Sequence, residues 1–251
     1  MYLLLYQKKY SMELSKNKIL ITGGATGIGL GLTERFLLEN NTVIICGRRA
    51  AALKEVTDKH PQVIAYACDL ALETDRIALY EWLNNEHADL NVLVNNAGIQ
   101  NWMAIDSENF YEKAVNEIET NIVAPLHLIT LLSNLPKLKT IMNVTSGLAF
   151  VQLTKVPVYC ATKAFLRSFT LSMRYLLQPK GVEVIEIIPP ALNTDLGGKG
   201  IHDGNPLVSE FIEAIFVQLK DGKNELTFGF SDLMLKASPE VIQSTFAKMN
   251  P

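Results

Sequence analysis

The sequence predicts a single α/β domain in which a doubly wound parallel sheet carries helices on both faces. Three observations predict it. Six short β-branched runs recur along the chain, stretches of helical period about ten to twenty-five residues long separate them, and no Pro/Gly-rich linker or internal repeat breaks the series. A length of 251 residues is enough for one large core. In such sheets ligands sit beyond the carboxyl ends of the strands, near the point where strand order reverses. Chemistry is therefore sought just after each run.

The chain opens "MYLLLYQKK", an apolar run of five residues followed by its charges, which fits neither a signal peptide nor a membrane span. A second methionine, Met12, starts "MELSKNKILITGG". Residues 1–15 are read as a flexible extension, with one domain over 16–251.

The first strand is "KILIT" (18–22), and after it comes "TGGATGIG", with Gly23, Gly27 and Gly29 at G-x-x-x-G-x-G spacing ahead of a helical stretch. Glycines let backbone turn tightly and approach a pyrophosphate, whose charge the helix N-terminus favours. Thr26 and Ile28 belong to the same loop. An ordinary structural turn is the competing explanation. The second strand, "TVIIC" (42–46), ends in "CGRR". A dinucleotide fold that prefers NAD commonly places an acid here against the ribose; Gly47 stands instead, and Arg48 and Arg49 offer donors suited to a 2'-phosphate. Two solvated arginines at a helix start are the alternative.

The third strand, "VIAYA" (63–67), leads to "CDL", where Asp69 is a candidate acceptor for an adenine amino group and Leu70 a candidate packing surface, although Asp here also suits a helix cap. The fourth, "NVLVN" (91–95), leads to "NNAG"; Asn95, Ala97 and Gly98 permit close backbone approach to a ligand, or an ordinary turn. The fifth, "TIMNV" (140–144), runs into "TSG" with Ser146, and "VPVYCATKAF" then sets Tyr159 and Lys163 four apart in a mostly apolar helix.

With "TGGATGIG", "NNAG", Asn121 in "ETNIVAPLHL", Ser146 in "NVTSG" and "YCATK", the sequence resembles the short-chain dehydrogenase/reductase family from about Lys18 to Leu196. Ser146 precedes Tyr159 by 13 residues, as the family pattern requires. The resemblance implies a Rossmann-type fold and NADP(H)-dependent interconversion of an alcohol and a carbonyl. It implies Asn121, Ser146, Tyr159 and Lys163 as the catalytic set, with Tyr159 and Lys163 also touching the cofactor. Residues four apart share a helix face, and a nearby ammonium favours a phenolate. Tyr159 is thus expected to move the proton, Lys163 to lower its pKa and hold the ribose, Ser146 to bind the substrate oxygen, and Asn121 to hold a relay water. A dinucleotide-binding regulatory module without turnover is the second reading, which a substituted Tyr159 or Lys163 would have favoured.

The sixth strand, "VEVIEII" (182–188), ends "PPALNTDL". The family usually has Pro-Gly where this chain has Pro189 and Pro190, which puts the local loop path in question. Thr194 still aligns with the residue that meets the nicotinamide amide or phosphate, and Leu192 is expected to meet that amide through its backbone. The glycine-rich "GGKGIHDGNP" and the amphipathic "LVSEFIEAIFVQL" predict a short substrate lid near 196–220. Trp102, Met103, Leu148, Phe150 and Leu153 are candidate pocket residues.

Composition narrows the partners. Lysine and arginine number 23 against 26 acids, a formal charge of -3, with no basic block to follow a nucleic-acid backbone. Cys46, Cys68 and Cys160 form no C-x-x-C pair and the four histidines no metal motif, so reduced core thiols, no metal site and a cytoplasmic protein are expected. A small-molecule carbonyl or alcohol, no nucleic acid and no membrane are the expected partners, with a homodimer favoured over a tetramer.

Overall fold

The structure, a computed structural model, describes residues 12–251. Seven strands form one parallel sheet: β1 Lys18–Thr22, β2 Thr42–Gly47, β3 Ile64–Ala67, β4 Val92–Asn95, β5 Thr140–Val144, β6 Glu183–Ile188 and β7 Glu225–Thr227. Their order is β3-β2-β1-β4-β5-β6-β7, so the direction of winding reverses between β1 and β4. The fold is Rossmann-like, as expected. The helices are α1 Gly27–Leu38, α2 Ala50–Lys59, α3 Glu73–Glu86, α4 Phe110–Ile118, α5 Ala124–Leu132, α6 Pro157–Leu177, α7 Val208–Lys220, α8 Phe230–Leu235 and α9 Pro239–Met249.

Strand side chains alternate between faces, and both faces are apolar here. Ile19, Ile21, Val43, Ile45, Val92 and Val94 meet Leu32 and Phe36 of α1, Leu53 and Val56 of α2, and Phe211, Ile212, Ile215 and Phe216 of α7. Leu20, Ile44, Leu93 and Ile141 meet Leu79 and Leu83 of α3 and Leu128, Ile129 and Leu132 of α5. The two half-cores lock the sheet between them. Cys46, Cys68 and Cys160 are free and buried.

Four expectations need adjustment. The seventh strand is only "ELT", too short to carry a period of its own, and it pairs with the end of β6. The helical stretch around Asn121 is two helices joined by a π-helical turn, Glu119–Val123. Pro125, two residues into α5, has no N–H to give the Asn121 carbonyl four residues back, which accounts for the interruption. Residues 12–15 of the expected extension are packed: Met12 is buried in the core, and the Glu13 and Ser15 carbonyls accept from Asn17 Nδ2. Residues 1–11 lie outside the described residues.

The fourth adjustment concerns the lid segment. Its helical half, α7, buries Phe211, Ile212, Ile215, Phe216 and Leu219 in the main core. Gly31 of α1 makes this docking possible, because a Cβ there would stand 2.9 Å from both Ile212 Cγ1 and Val208 Cγ1. Phe216 meets Phe36 edge-on at 4.9 Å between centroids and lies under the Arg35 guanidinium at 4.5 Å. Phe216→Ala should therefore cost about 3–5 kcal/mol of stability in urea unfolding. A loss below about 1 kcal/mol would mean that α7 is only loosely held.

Candidate active site

The sheet's carboxyl edge is organised around Thr22. Its hydroxyl donates to the Val94 carbonyl (3.2 Å) and accepts from the N–H groups of Asn96 (2.9 Å) and Ala97 (3.0 Å). Asn96 Nδ2 returns to the carbonyls of Thr22 (2.9 Å) and Gly23 (3.2 Å). The two loops at the reversal point are thereby tied together. Thr22 and Asn96 were not among the site residues read from sequence; the doubled asparagine of "NNAG" was the available signal.

The glycine loop fits a dinucleotide phosphate. A Cβ on Gly29 would fall 2.1 Å from the Gly23 carbonyl oxygen, so no side chain can stand there. Gly23 and Gly27 have φ of +64° and +53°, a region that glycine enters without strain. Thr26 precedes α1 without capping it through its side chain, which leaves first-turn N–H groups available to an anion. Thr194 closes the far side, its Cγ2 lying 3.4 Å from where a Gly27 Cβ would be. Ile28 backs the loop against the core. Arg49 Nη2 donates to Thr26 Oγ1 at 3.0 Å, which carries its guanidinium from the end of β2 across to this loop. Arg48 is exposed beside it, and around Gly47 nothing lies within 4 Å of a Cβ position.

Other candidates are placed less directly. Asp69 Oδ1 accepts from the Ala71 N–H (3.0 Å) in a local turn, and the helix cap that was its alternative reading is not formed, since Leu72 stands at the N-cap of α3. Leu70 is buried in the second core, and its carbonyl accepts from Arg76 Nη1 (2.6 Å). Asn95 points inward, donating to Asn143 Oδ1 (2.9 Å). Leu192 buries its side chain in the first core, while Pro189 gives its carbonyl to the Gly147 N–H (2.9 Å). Ala97 and Gly98 do line the approach. A Cβ on Gly98 would stand 3.3 Å from Asn121 Oδ1 and 3.5 Å from Lys163 Nζ.

Ser146, Tyr159, Lys163 and Asn121 are brought close together. Ser146 caps a short 3₁₀ turn, Gly147–Ala149, its Oγ accepting from the Leu148 N–H (3.1 Å). Lys163 Nζ donates to the Val144 carbonyl at 2.8 Å and lies 5.6 Å from the centroid of the Tyr159 ring. Asn121 uses its side chain on neighbours: Oδ1 accepts from the Ile99 N–H, and Nδ2 donates to Ile99 O and Thr162 Oγ1. Leu148, Leu153 and Leu196 pack around Tyr159, Val156 and Cys160. The intervening loop is held from three sides. Met103 N–H donates to Lys155 O (3.1 Å), Leu153 N–H to Cys160 Sγ (3.3 Å), and Thr154 N–H to Asn250 Oδ1 (2.7 Å). Of the remaining pocket candidates, Phe150 lies 4.4 Å under the Arg167 guanidinium, and Trp102 Nε1 reaches the Gly197 position.

The electrostatics differ from the expectation that Lys163 would depress Tyr159. Burial pushes the phenol well above its ordinary value, and the Ser146 hydroxyl pulls it partway back. Burial pulls Lys163 down to about 8, opposed by Glu117. The lysine is too deeply desolvated to dominate the tyrosine. Tyr159 consequently holds its proton at neutral pH.

A glycine cradle at the reversal point, opening onto a buried tyrosine, lysine and serine, defines a dinucleotide-dependent oxidoreductase site. The chain belongs to the short chain dehydrogenase family, whose model matches residues 17–203. It is 44% identical over 229 residues to the oxidoreductase DltE of Bacillus subtilis (strain 168), covering 86% of this chain and 89% of that one. It is 34% identical over 180 residues to serine 3-dehydrogenase of Agrobacterium fabrum, covering 70% and 72%. Among solved structures it is similar to a short chain dehydrogenase from Burkholderia cenocepacia in complex with NADP, with a TM-score of 0.81, 25% identity and coverage of 95% and 99%. No helix among the described residues is long and apolar enough to cross a membrane.

Proposed function

We propose that the chain is an NADP(H)-dependent oxidoreductase that interconverts an alcohol and a carbonyl, with Tyr159 transferring the proton. The observation that carries this reading is the burial of Tyr159 beside Ser146 and Lys163, at the mouth of a glycine loop in which a side chain cannot stand. Gly23, Gly27 and Gly29 would cradle the pyrophosphate, Thr194 and the Leu192 backbone would face the nicotinamide end, and Asp69 and Leu70 the adenine. The bound dinucleotide supplies the hydride. Ser146 would fix the substrate oxygen, and Tyr159, protonated near neutrality, would donate to it as the carbonyl is reduced. Lys163 would hold the ribose. The side chain of Asn121 is committed to Ile99 and Thr162, so its water-holding role falls to the backbone carbonyl that Pro125 cannot serve. The glycine-rich stretch 196–207 would act as the lid.

NADP is favoured by Gly47, which brings no carboxylate, and by Arg48 and Arg49 around the loop. The NADP-dependent 3-hydroxy acid dehydrogenase YdfG of Shigella flexneri, 32% identical over 181 residues, supports that preference. A homodimer would bury the exposed Val115 and Ile118 of α4 with Phe165 and Leu171 of α6. Sedimentation at micromolar concentration should then report two chains per particle, and a monomer would discard the dimer.

Tyr159→Phe keeps the ring and removes the hydroxyl, so NADPH binding should persist while carbonyl reduction falls by roughly 10² or more. The assay panel begins with serine and 3-hydroxy acids oxidised with NADP, and with their carbonyl products reduced with NADPH, NADPH absorbance being the readout in both directions. Wild-type turnover in this variant would reject the assignment. Each arginine contact to the 2'-phosphate contributes roughly 1.5–3 kcal/mol, so the native protein should bind NADP over NAD by tens-fold. Joint Arg48→Ala and Arg49→Ala should remove most of that preference in calorimetric titration. Equal binding of NAD by the native protein would show that both arginines serve solvent.

A further inference from the structure

The backbone between Ser146 and Tyr159 forms one wall of the candidate active site, and α8 and α9 both reach it. α8 meets its start: a Cβ on Gly147 would stand 3.1 Å from Phe230 Cδ1 and 3.5 Å from Ser231 Cβ. Its middle lies on the surface, with Gln152, Thr154 and Lys155 exposed. Surface loops of this kind open at little cost unless their polar groups are tied down. Between Gln152 and Thr154, Leu153 turns inward against the cluster of Val156, Tyr159 and Cys160.

Asn250, the C-cap of α9, supplies the ties. Its Oδ1 accepts from the Thr154 N–H (2.7 Å) and the Thr154 hydroxyl (2.8 Å), and its Nδ2 donates to the Gln152 carbonyl (3.0 Å). One side-chain amide thus bonds the residues on both sides of Leu153. The amide is itself held: Nδ2 donates also to the Phe246 carbonyl (2.8 Å), which accepts the Asn250 N–H as well (3.1 Å). No residue of α9 is buried, so neither core anchors the helix. Resting on the role given above to Tyr159, we propose that Asn250 is a positioning residue: it clamps the Gln152–Thr154 loop and so seats Leu153 as the apolar wall that substrate meets beside Tyr159.

Cys160 reports the state of the loop. It is buried, its Sγ accepting from the Leu153 N–H (3.3 Å) and donating to the Leu153 carbonyl (3.7 Å). Burial also pushes the thiol up, so it reacts slowly while Leu153 is seated. A lifted loop bares the sulfur, and its alkylation rate then follows the lifted fraction. The KM of the substrate follows the same equilibrium, rising as the seated fraction falls. At saturation the substrate draws the loop back to its seat, so kcat is held.

The test compares the wild-type full chain with Asn250→Ala, Thr154→Val and the double variant. Alkylation of Cys160 by iodoacetamide at about pH 8.5 is followed by mass spectrometry of its peptide. Asn250→Ala removes all three bonds to the loop, so its rate should rise by roughly ten-fold or more. Thr154→Val removes one of them and leaves α9 intact, so its rate should rise by a smaller factor, roughly two- to ten-fold. Added to Asn250→Ala, Thr154→Val should change the rate by less than about two-fold. For the carbonyl that the panel above identifies, KM should rise several-fold in Asn250→Ala, while kcat and NADPH affinity stay within about two-fold. An unchanged Cys160 rate, full additivity of the two substitutions, or an unchanged KM overturns the proposal. Should Asn250→Ala not fold, Thr154→Val decides by the same Cys160 rate. A wild type that reduces no carbonyl sinks the proposed reaction, and the Cys160 rates then decide the clamp.

Discussion

A single hydroxyl, that of Thr22, holds the carboxyl edge of the sheet in the shape the rest requires. At the β1–β4 reversal the two strands send their following loops to opposite faces, and the backbone groups there have no ladder partners. Thr22 meets three of them at once, and Asn96 covers the two carbonyls beside it. With the loops tied at their roots, Gly23 can turn through a positive φ, and Gly29 can approach its carbonyl more closely than any other residue would permit. The tight glycine turn is a by-product of this knot.

A second set of polar contacts fixes α6, and with it the tyrosine and lysine. Asn143 in the middle of β5 accepts from Asn95 and donates to Thr170 Oγ1 (2.9 Å). Thr145 donates to Glu186 Oε1 (2.7 Å), and Glu186 in turn pairs with Arg167 of α6, which also reaches Glu225 on β7 at 3.2 Å. Burial pushes the Glu186 carboxyl up while Thr145 and Arg167 pull it back. These bonds bracket Ser146 in sequence and grip α6 on the faces around Lys163. The helix can neither slide nor rotate without breaking several of them, so its register on the sheet is strongly specified.

The sheet was legible in the sequence because buried parallel strands must be apolar on both faces, and six such runs announce themselves. β7 was hidden because three residues carry no period, and α7 was taken for lid because an amphipathic stripe reads the same whether it covers a cleft or docks on Gly31. The pairing of Tyr159 and Lys163 was legible through fixed spacing on one helix, which survives without knowledge of the tertiary contacts. Asn95 and Leu70 were harder, since a residue at a strand end can turn to the ligand or to the core, and only the packing of Asn143 and Leu79 decides. The electrostatic balance at Tyr159 was not legible at all: it depends on how completely the site is closed off from water, a property of the whole fold.

That closure has a thermodynamic consequence. Leu196 rests against the cluster that contains Tyr159, so a ligand whose contact with the phenol moves this leucine spends part of its binding free energy on that displacement. The affinity observed for such a ligand is its intrinsic affinity reduced by the fraction of molecules already uncovered. Two compounds with identical contacts to Tyr159 would then rank by how well each replaces the leucine's apolar surface.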